Sequence, residues 1–192
     1  MNRFIPGTTI KYTQQARDKA FTAVIKPVID MTGGLTLSQL SKLTGLEGST
    51  IQNWIKRGWI SPTRSKKYSE QQVLRVLIIN MLRGAMKLDD IAKLMHIING
   101  DVEDTSDDIV KEESLYDMMC EIIFIAEENR NYGHDAVDRL VGEEMIKHKD
   151  DIHSDEDKLH MAMLTMLMAY GSSRVKAEME ISLGHFFEKY GA

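Results

Sequence analysis

Side chains that suit nucleic-acid recognition are concentrated in one stretch of this sequence, residues 36–67. Asn and Gln amides can form paired hydrogen bonds with adenine, while Lys and Arg neutralise phosphates and release counterions. We therefore predict that this stretch contacts double-stranded DNA. The predicted DNA-binding residues are Thr36, Ser38, Ser49, Thr50, Gln52, Asn53, Lys56, Arg57, Arg64, Ser65, Lys66 and Lys67.

These residues divide into two predicted roles. Gln52 and Asn53 lie near the start of a predicted helix and would contact base edges. The phosphate contacts are assigned to the basic side chains Lys56, Arg57, Arg64 and Lys66. For the polar residues at the helix start, capping and plain solvent exposure are the alternative interpretation.

Catalysis and metal binding have no comparable pattern. The sequence contains no GxSxG, no P-loop and no HExxH motif, and no pair of carboxylates stands out. His148, His153 and His160 lack the tight Cys/His spacing of a zinc site, and the methionines fall on apolar helix faces, where they usually fill gaps. We therefore predict no enzyme activity, no catalytic residues, no metal site and no cofactor.

Two short helices are predicted to position the polar residues. Thr36 followed by Gln39 is a capping-box pattern that opens the first helix. Gly45 supplies a turn, and Gly48 or Ser49 would cap the second helix. Gly58 is placed to end that helix as the residue after its C-cap. A helix, a Gly-containing turn and a second helix in this order are typical of a helix-turn-helix.

A basic hairpin is predicted after the second helix. Trp59–Ile60 and Lys67–Tyr68 would pair as two short strands, with Arg64 and Lys66 near the tip. Ser69 caps the helix that follows, and another helix begins near Leu88. Trp54 shares a helical face with apolar residues, so we expect it in the core.

The combination resembles known proteins. The order TG, STIxxWxxRGWIxP, KKYS and VLRVLxIxxLRGAMKLDDIAKLM is similar to a MerR-type winged helix, and NWIKRG is similar to excisionase-type winged helices. TGGLTLSQLSKLTGL, IQNWIKRGWI and INGDVEDTSDDIV resemble the bacterial family called domain of unknown function 1836, over roughly residues 20–130. The resemblance implies DNA binding and transcriptional regulation. The chain departs from the MerR pattern at Gln52 and Asn53, where MerR proteins usually carry Arg and an aromatic residue.

The charge distribution agrees with this prediction. The whole chain has a net charge of −5, yet residues 36–87 contain nine Lys or Arg against two Asp or Glu. Residues 88–192 contain ten basic residues against 25 acidic ones. A local basic patch is what a phosphate backbone requires, whatever the total charge.

The predicted fold class is mainly α, a MerR-like winged helix-turn-helix with a small β-wing, followed by a helical domain. We divide the chain into an N-terminal arm and helix (1–34), the winged helix-turn-helix (35–99), an acidic connector (100–113) and a helical dimerisation or effector domain (114–192). The arm, residues 1–14, is expected to be mobile, and the first helix to begin near Gln15 and to be kinked or ended by Pro27. A divalent-metal loop or a phosphate mimic is the alternative to a solvated connector.

In the C-terminal half, Leu159–Tyr170 is apolar on nearly every side, and Gly171-Ser172-Ser173 is predicted to separate it from a final helix. This large apolar surface predicts a homodimer formed mainly through residues 114–190. The single cysteine, Cys120, and the lack of an apolar span of about 18 residues fit a cytoplasmic protein without a membrane segment. Two alternatives stay open. One is a protein–protein adaptor, and the other is a sensor whose small-molecule effector binds the Met-rich half.

Overall fold

The computed structural model of the protein describes residues 4–13, 19–63, 66–100 and 107–191, and its architecture is mainly α with one small sheet. A π-helical turn, Phe21–Ile25, leads into the first α-helix, and a short 3₁₀ turn spans Lys149–Asp151. The remaining elements are α1 (Lys26–Thr32), β1 (Leu35–Thr36), α2 (Leu37–Thr44), α3 (Gly48–Lys56), β2 (Lys67–Tyr68), α4 (Glu70–Leu82), α5 (Leu88–Asn99), α6 (Glu112–Asn129), α7 (His134–Lys147) and α8 (Glu156–Tyr190).

Most of the local start and stop signals predicted for α2 and α3 are observed. Thr36 and Gln39 form the full capping box at the start of α2, and Gly45 ends it with a left-handed φ of 71°. The prediction for the next cap was wrong, because Glu47 is the N-cap of α3 and makes no side-chain cap. At the C-terminal end of α3, the N–H of Gly58 donates to the carbonyl of Ile55 at 3.0 Å, as expected for a glycine that follows the C-cap of a helix.

The strand pairing differs from the expected hairpin. Lys67–Tyr68 pairs antiparallel with Leu35–Thr36, not with Trp59–Ile60. The N–H of Trp59 instead bonds to the carbonyl of Trp54 at 3.1 Å, closing a Schellman motif at the end of α3. Ile60 is fully buried, so this segment packs on the core and does not extend as a strand.

The described part of the N-terminal arm is anchored, which corrects the expectation of a mobile segment. The Tyr116 hydroxyl donates to the carbonyl of Pro6, and Asn80 Nδ2 donates to the carbonyl of Gly7 at 2.9 Å. The Thr9 hydroxyl donates to the carbonyl of Lys42 at 2.8 Å and so satisfies one of the free carbonyls at the end of α2. Residues 4–13 therefore help to fix the end of α2.

The first helix passes through Pro27 without ending. Pro27 lies in the first turn of α1, where a missing N–H removes no intrahelical bond. The π-helical turn ends at Ile25, two residues earlier, and α1 continues to Thr32, so the loop is shorter than predicted. The start predicted near Gln15 lies outside the described residues.

An aspartate from α6 holds this first helix in place. Asp117 is 3% exposed, and its carboxylate accepts the backbone N–H of Phe21 at 2.6 Å and the hydroxyl of Thr22 at 2.6 Å. Burial raises the pKa of Asp117, while these hydrogen bonds oppose the rise. The contact joins the start of the first helix to the C-terminal half of the chain.

The C-terminal half is built from α6, α7 and α8. α6 is buried around most of its circumference, and α7 and α8 pack beside it. In Leu159–Tyr170, Leu159, Met163 and Met166 are buried, but Met161 is 70% exposed, so the segment is only partly internal. The expected break at Gly171-Ser172-Ser173 is absent.

α8 instead runs through that segment as one helix of 35 residues. Gly171 keeps helical geometry and is buried against Tyr132. The hydroxyls of Ser172 and Ser173 donate to carbonyls three residues earlier, both at 2.8 Å, which is compatible with a continuing helix. Within the described residues, no helix is long and apolar enough to cross a lipid bilayer.

Candidate nucleic-acid interface

One face of α3 carries the predicted base-reading residues. The predicted base-contacting residues Gln52 and Asn53 are exposed there together with Ser49 and with Lys56, which was assigned to phosphate. The spacings of three and four residues among these four place them along a single side of the helix. The opposite side is anchored by Ile51 and Trp54, which are 0% and 2% exposed, as the sequence predicted for Trp54. Thr50, between the two sides, is half-buried.

The small sheet brings two further predicted residues together. Thr36 is directly opposite Lys67 in the strand register. The Thr36 hydroxyl is engaged in the capping box, and Lys67 Nζ donates to the carbonyl of Thr32. Ser38 is exposed in the first turn of α2. Thr36 and Lys67 therefore have structural roles beside any contact with a ligand.

Four basic side chains of this region have no acidic partner in the described part of the chain. Within the described residues, no carboxylate oxygen lies within 4 Å of a side-chain nitrogen of Lys42, Lys56, Arg57 or Lys66. The Arg57 guanidinium lies over the ring of Trp59, 5.2 Å from its centroid, a cation–π contact that keeps the charge at the surface. Lys66 adopts a left-handed φ of 53° just before β2. Arg64 and Ser65 lie outside the described residues.

Cations elsewhere in the protein behave differently. Lys26 bridges Glu70 and Glu113, and Lys147 bridges Glu121 and Glu144. Those carboxylates raise the pKa of each lysine. The described cations around α3 therefore form a positive surface that the fold does not neutralise, while many cations of the acidic half are used in internal pairs.

The comparison with known proteins places the chain in a family. Residues 22–119, just over half of the chain, match the model described as "Domain of unknown function (DUF1836)". The chain belongs to the DUF1836 family. The DUF1836 match begins in the π-helical turn, includes α2, α3 and both strands, and ends within α6.

One curated relative is similar to this chain over part of its length. The "Uncharacterized protein YkrK" of Bacillus subtilis (strain 168) is 24% identical over 123 residues, which are 62% of this chain and 50% of YkrK. The chain thus spans about half the length of that relative. No solved structure gives a significant match.

Two structural features of the DUF1836 region were not identified from the sequence. One is a buried ion pair between Arg75 of α4 and Glu112 of α6, with 2.6 Å between Arg75 Nη2 and Glu112 Oε1. The other is the capping of the first helix by Asp117. Each feature has a signal in the sequence. Arg75 is the single charge in the apolar run VLRVL, and Asp117 is the single charge in LYDMM, so both are expected to be buried with a partner.

The acidic connector is only partly described. Asp101 and Asp104 lie outside the described residues, and Glu112 and Glu113 belong to the first turn of α6. In the part of the chain that the structure describes, no group of three or more His, Cys, Asp or Glu side chains is arranged to hold a metal ion.

Proposed function

We propose that this chain binds double-stranded DNA sequence-specifically and acts as a cytoplasmic transcriptional regulator of MerR-like type. The observation that carries the proposal is the exposed face of α3, where two amides stand beside Lys56 and Arg57, neither of which has an acidic partner among the described residues. Free cations suit phosphates, and exposed amides on a helix suit base edges in the major groove.

The arrangement around α3 supports a winged version of the helix-turn-helix. α2 and α3 are joined by a turn closed by Gly45, and a loop whose described part begins with residues 57–63 then connects α3 to β2. We propose this loop as the wing, held at its end by the β1–β2 pair. In this arrangement α3 is the recognition helix, and Arg57 follows directly at its end.

A homodimer completes the proposal. The distal part of α8 exposes large apolar side chains to solvent, including Phe186 at 56% and Tyr190 at 64%. Two copies joined through these surfaces would present two recognition helices, as expected for a protein that reads paired half-sites.

The test is selection of DNA from a random double-stranded library with the purified full-length protein, followed by titration of the enriched sequence. We expect enrichment of a defined motif. The double variant K56A/R57A should weaken binding to enriched and scrambled DNA alike. It should also reduce the slope of log affinity against log salt by up to about 0.9 per lost phosphate contact.

Lys149→Ala is the matched control, because Lys149 is an exposed lysine in the acidic half. It should bind DNA as the wild type does. If no motif is enriched and K56A/R57A leaves the affinity for every DNA unchanged, the DNA-binding proposal is wrong. A protein–protein adaptor would then be the better explanation of the same exposed surface.

A further inference from the structure

A cavity lined mainly by polar and charged residues lies where three helices meet, away from the proposed DNA-binding face. Its volume is about 300 Å³, the lower end of the range of small-molecule sites. Its walls come from α4, from the last residue of α5 and from the start of α6, with His153 also contributing. The cavity therefore lies between the helix that follows the small sheet and the C-terminal helices.

The most unusual wall residue is Asn99. It is 1% exposed, and within the described residues neither its Nδ2 nor its Oδ1 has a hydrogen-bond partner. Burying an amide in this state is unfavourable, because its donor and acceptor lose their hydrogen bonds to water. Asn99 lines the cavity, so a bound molecule that moves into this wall could satisfy both its donor and its acceptor.

The Arg75–Glu112 pair forms a second unsatisfied part of the wall. The two side chains are 5% and 8% exposed and make a close contact, yet Arg75 Nε and Glu112 Oε1 have no aligned hydrogen bond among the described residues. Arg75 Nε–H is a donor without a partner among the described residues, and Glu112 Oε1 is held only by its ion pair with Arg75 Nη2. Together with Asn99 they offer donors and acceptors within one small space.

The charge of the walls restricts the ligand. Four carboxyl groups line the cavity, against two basic side chains, so a plain anion is disfavoured. Lys26 does not line it but pairs with Glu70 and Glu113 at its edge. A molecule with an N–H donor can meet Glu112 and Asn99 Oδ1, while an oxygen acceptor on the same molecule meets Arg75 and Asn99 Nδ2.

We propose that this cavity binds a small metabolite of amino-acid size that carries an amino or amide N–H group beside a carboxylate or carbonyl oxygen. Asn99 and Arg75 hold the oxygen, and Glu112 and Asn99 hold the nitrogen. A ligand there would tie α4, α5 and α6 together. Its action as an effector of DNA binding rests on the proposed function, whereas its binding does not.

The test is calorimetric titration of the full-length protein, without DNA, using each of the twenty free L-amino acids up to 10 mM, about the weakest range of specific binding. Glutarate is the control for glutamate and glutamine, because it lacks the amino and amide groups. We expect at least one amino acid to bind and glutarate not to bind. Binding of no amino acid, or equal binding of glutarate, would overturn the proposal.

Two further measurements locate the bound molecule. Asn99→Leu removes both amide groups at similar volume and should weaken binding by at least about tenfold. The control Asn129→Leu, at an exposed position at the end of α6, should leave the affinity unchanged. If Asn99→Leu fails to fold, the side-chain amide signals of Asn99 in the wild-type NMR spectrum provide the readout. Unmoved Asn99 signals in the presence of a bound amino acid would place it elsewhere and refute this site.

The effect of the bound amino acid on DNA binding is tested in a separate experiment. If the amino acid found by calorimetry also changes affinity for the selected DNA, the cavity is a regulatory site. If it binds while no DNA is bound under any condition, the proposed function fails and the ligand site stands.

Discussion

At the scale of single residues, the exposed face of α3 separates holding DNA from reading it. Lys56 and Arg57 have the charge and freedom to contact phosphates, which carry no base identity. Asn53 lies on the same face with a free amide that can form two hydrogen bonds to one base. Removing a basic side chain and removing the Asn53 amide should therefore change the affinity for DNA in different ways.

Asn53→Ala should weaken binding to the selected DNA by about 1–3 kcal/mol, because one base loses its hydrogen bonds. The loss should appear at one position of the motif when single base changes are titrated, with little effect on scrambled DNA. Asn129→Ala provides a control for the loss of an exposed amide elsewhere. An equal loss on every sequence would show that Asn53 contacts phosphate and that other residues read the bases.

Glu112 predicts a pH dependence of stability. Burial raises its pKa to about 7, with Asp108 adding to the rise and Arg75 opposing it. Since the folded-state pKa lies above the ordinary value, the contribution of Glu112 is present below about pH 4.5 and is lost as pH rises through 7. This loss amounts to at most about 3 kcal/mol.

Glu112→Gln should therefore flatten the fall in unfolding free energy between pH 5 and pH 8, measured by urea denaturation. Glu113→Gln is the control, because Lys26 lowers the pKa of Glu113 and confines its contribution to more acidic pH. An unchanged pH slope in Glu112→Gln would mean that Glu112 is already ionised at pH 5.

At the scale of elements, local patterns predicted the helices better than their partners. The capping box of Thr36, the Gly45 turn and the glycine after α3 are short-range signals, and all three were read correctly. The partner of β2 was not, because Leu35–Thr36 is 32 residues away and a two-residue strand has no alternation to detect. The exposed face of α3 followed from its period of 3.6 residues.

The cavity and the break predicted in α8 show a different limit. Arg75, Asn99 and Glu112 come together through tertiary packing, and no spacing in the sequence relates them. Gly-Ser-Ser normally favours a loop. Here the packing of Tyr132 against Gly171 outweighs that local preference and keeps the helix intact.

This explanation of α8 predicts opposite results at its two glycines. A Cβ at Gly171 would lie 2.7 Å from Tyr132 Cδ1, so Gly171→Ala should destabilise the protein by about 1–3 kcal/mol. Gly184 has nothing within 4 Å of such a Cβ, and Gly184→Ala should stabilise the helix by up to about 1 kcal/mol. Thermal unfolding of both variants measures this. If Gly171→Ala is also stabilising, the contact with Tyr132 does not explain the glycine.

At the scale of the whole molecule, charge and apolar surface are segregated. The described cations around α3 have no acidic partner among the described residues, most acidic residues lie in the C-terminal half, and the distal part of α8 bears an apolar stripe. Its members, spaced three or four residues apart and each 46–64% exposed, are Val175, Met179, Leu183, Phe186 and Tyr190. A stripe of this kind on a helical segment that is exposed to solvent in the described structure is typical of a surface that binds another helix.

The stripe predicts which side of α8 forms the interface of the proposed homodimer. Phe186→Glu places a charge within the stripe and should convert the dimer to monomer, as measured by sedimentation at high micromolar concentration. Ile181→Glu is the matched control, because Ile181 is equally apolar and 55% exposed but lies on the opposite side of the helix by its spacing. It should remain dimeric. A wild-type protein that sediments as a monomer would refute the dimer. Equal dissociation by both substitutions would show that the interface is not confined to the stripe.

With the dimer lost, Phe186→Glu should also bind the selected DNA more weakly while its α3 surface is unchanged, because two linked recognition helices bind paired half-sites more tightly than one.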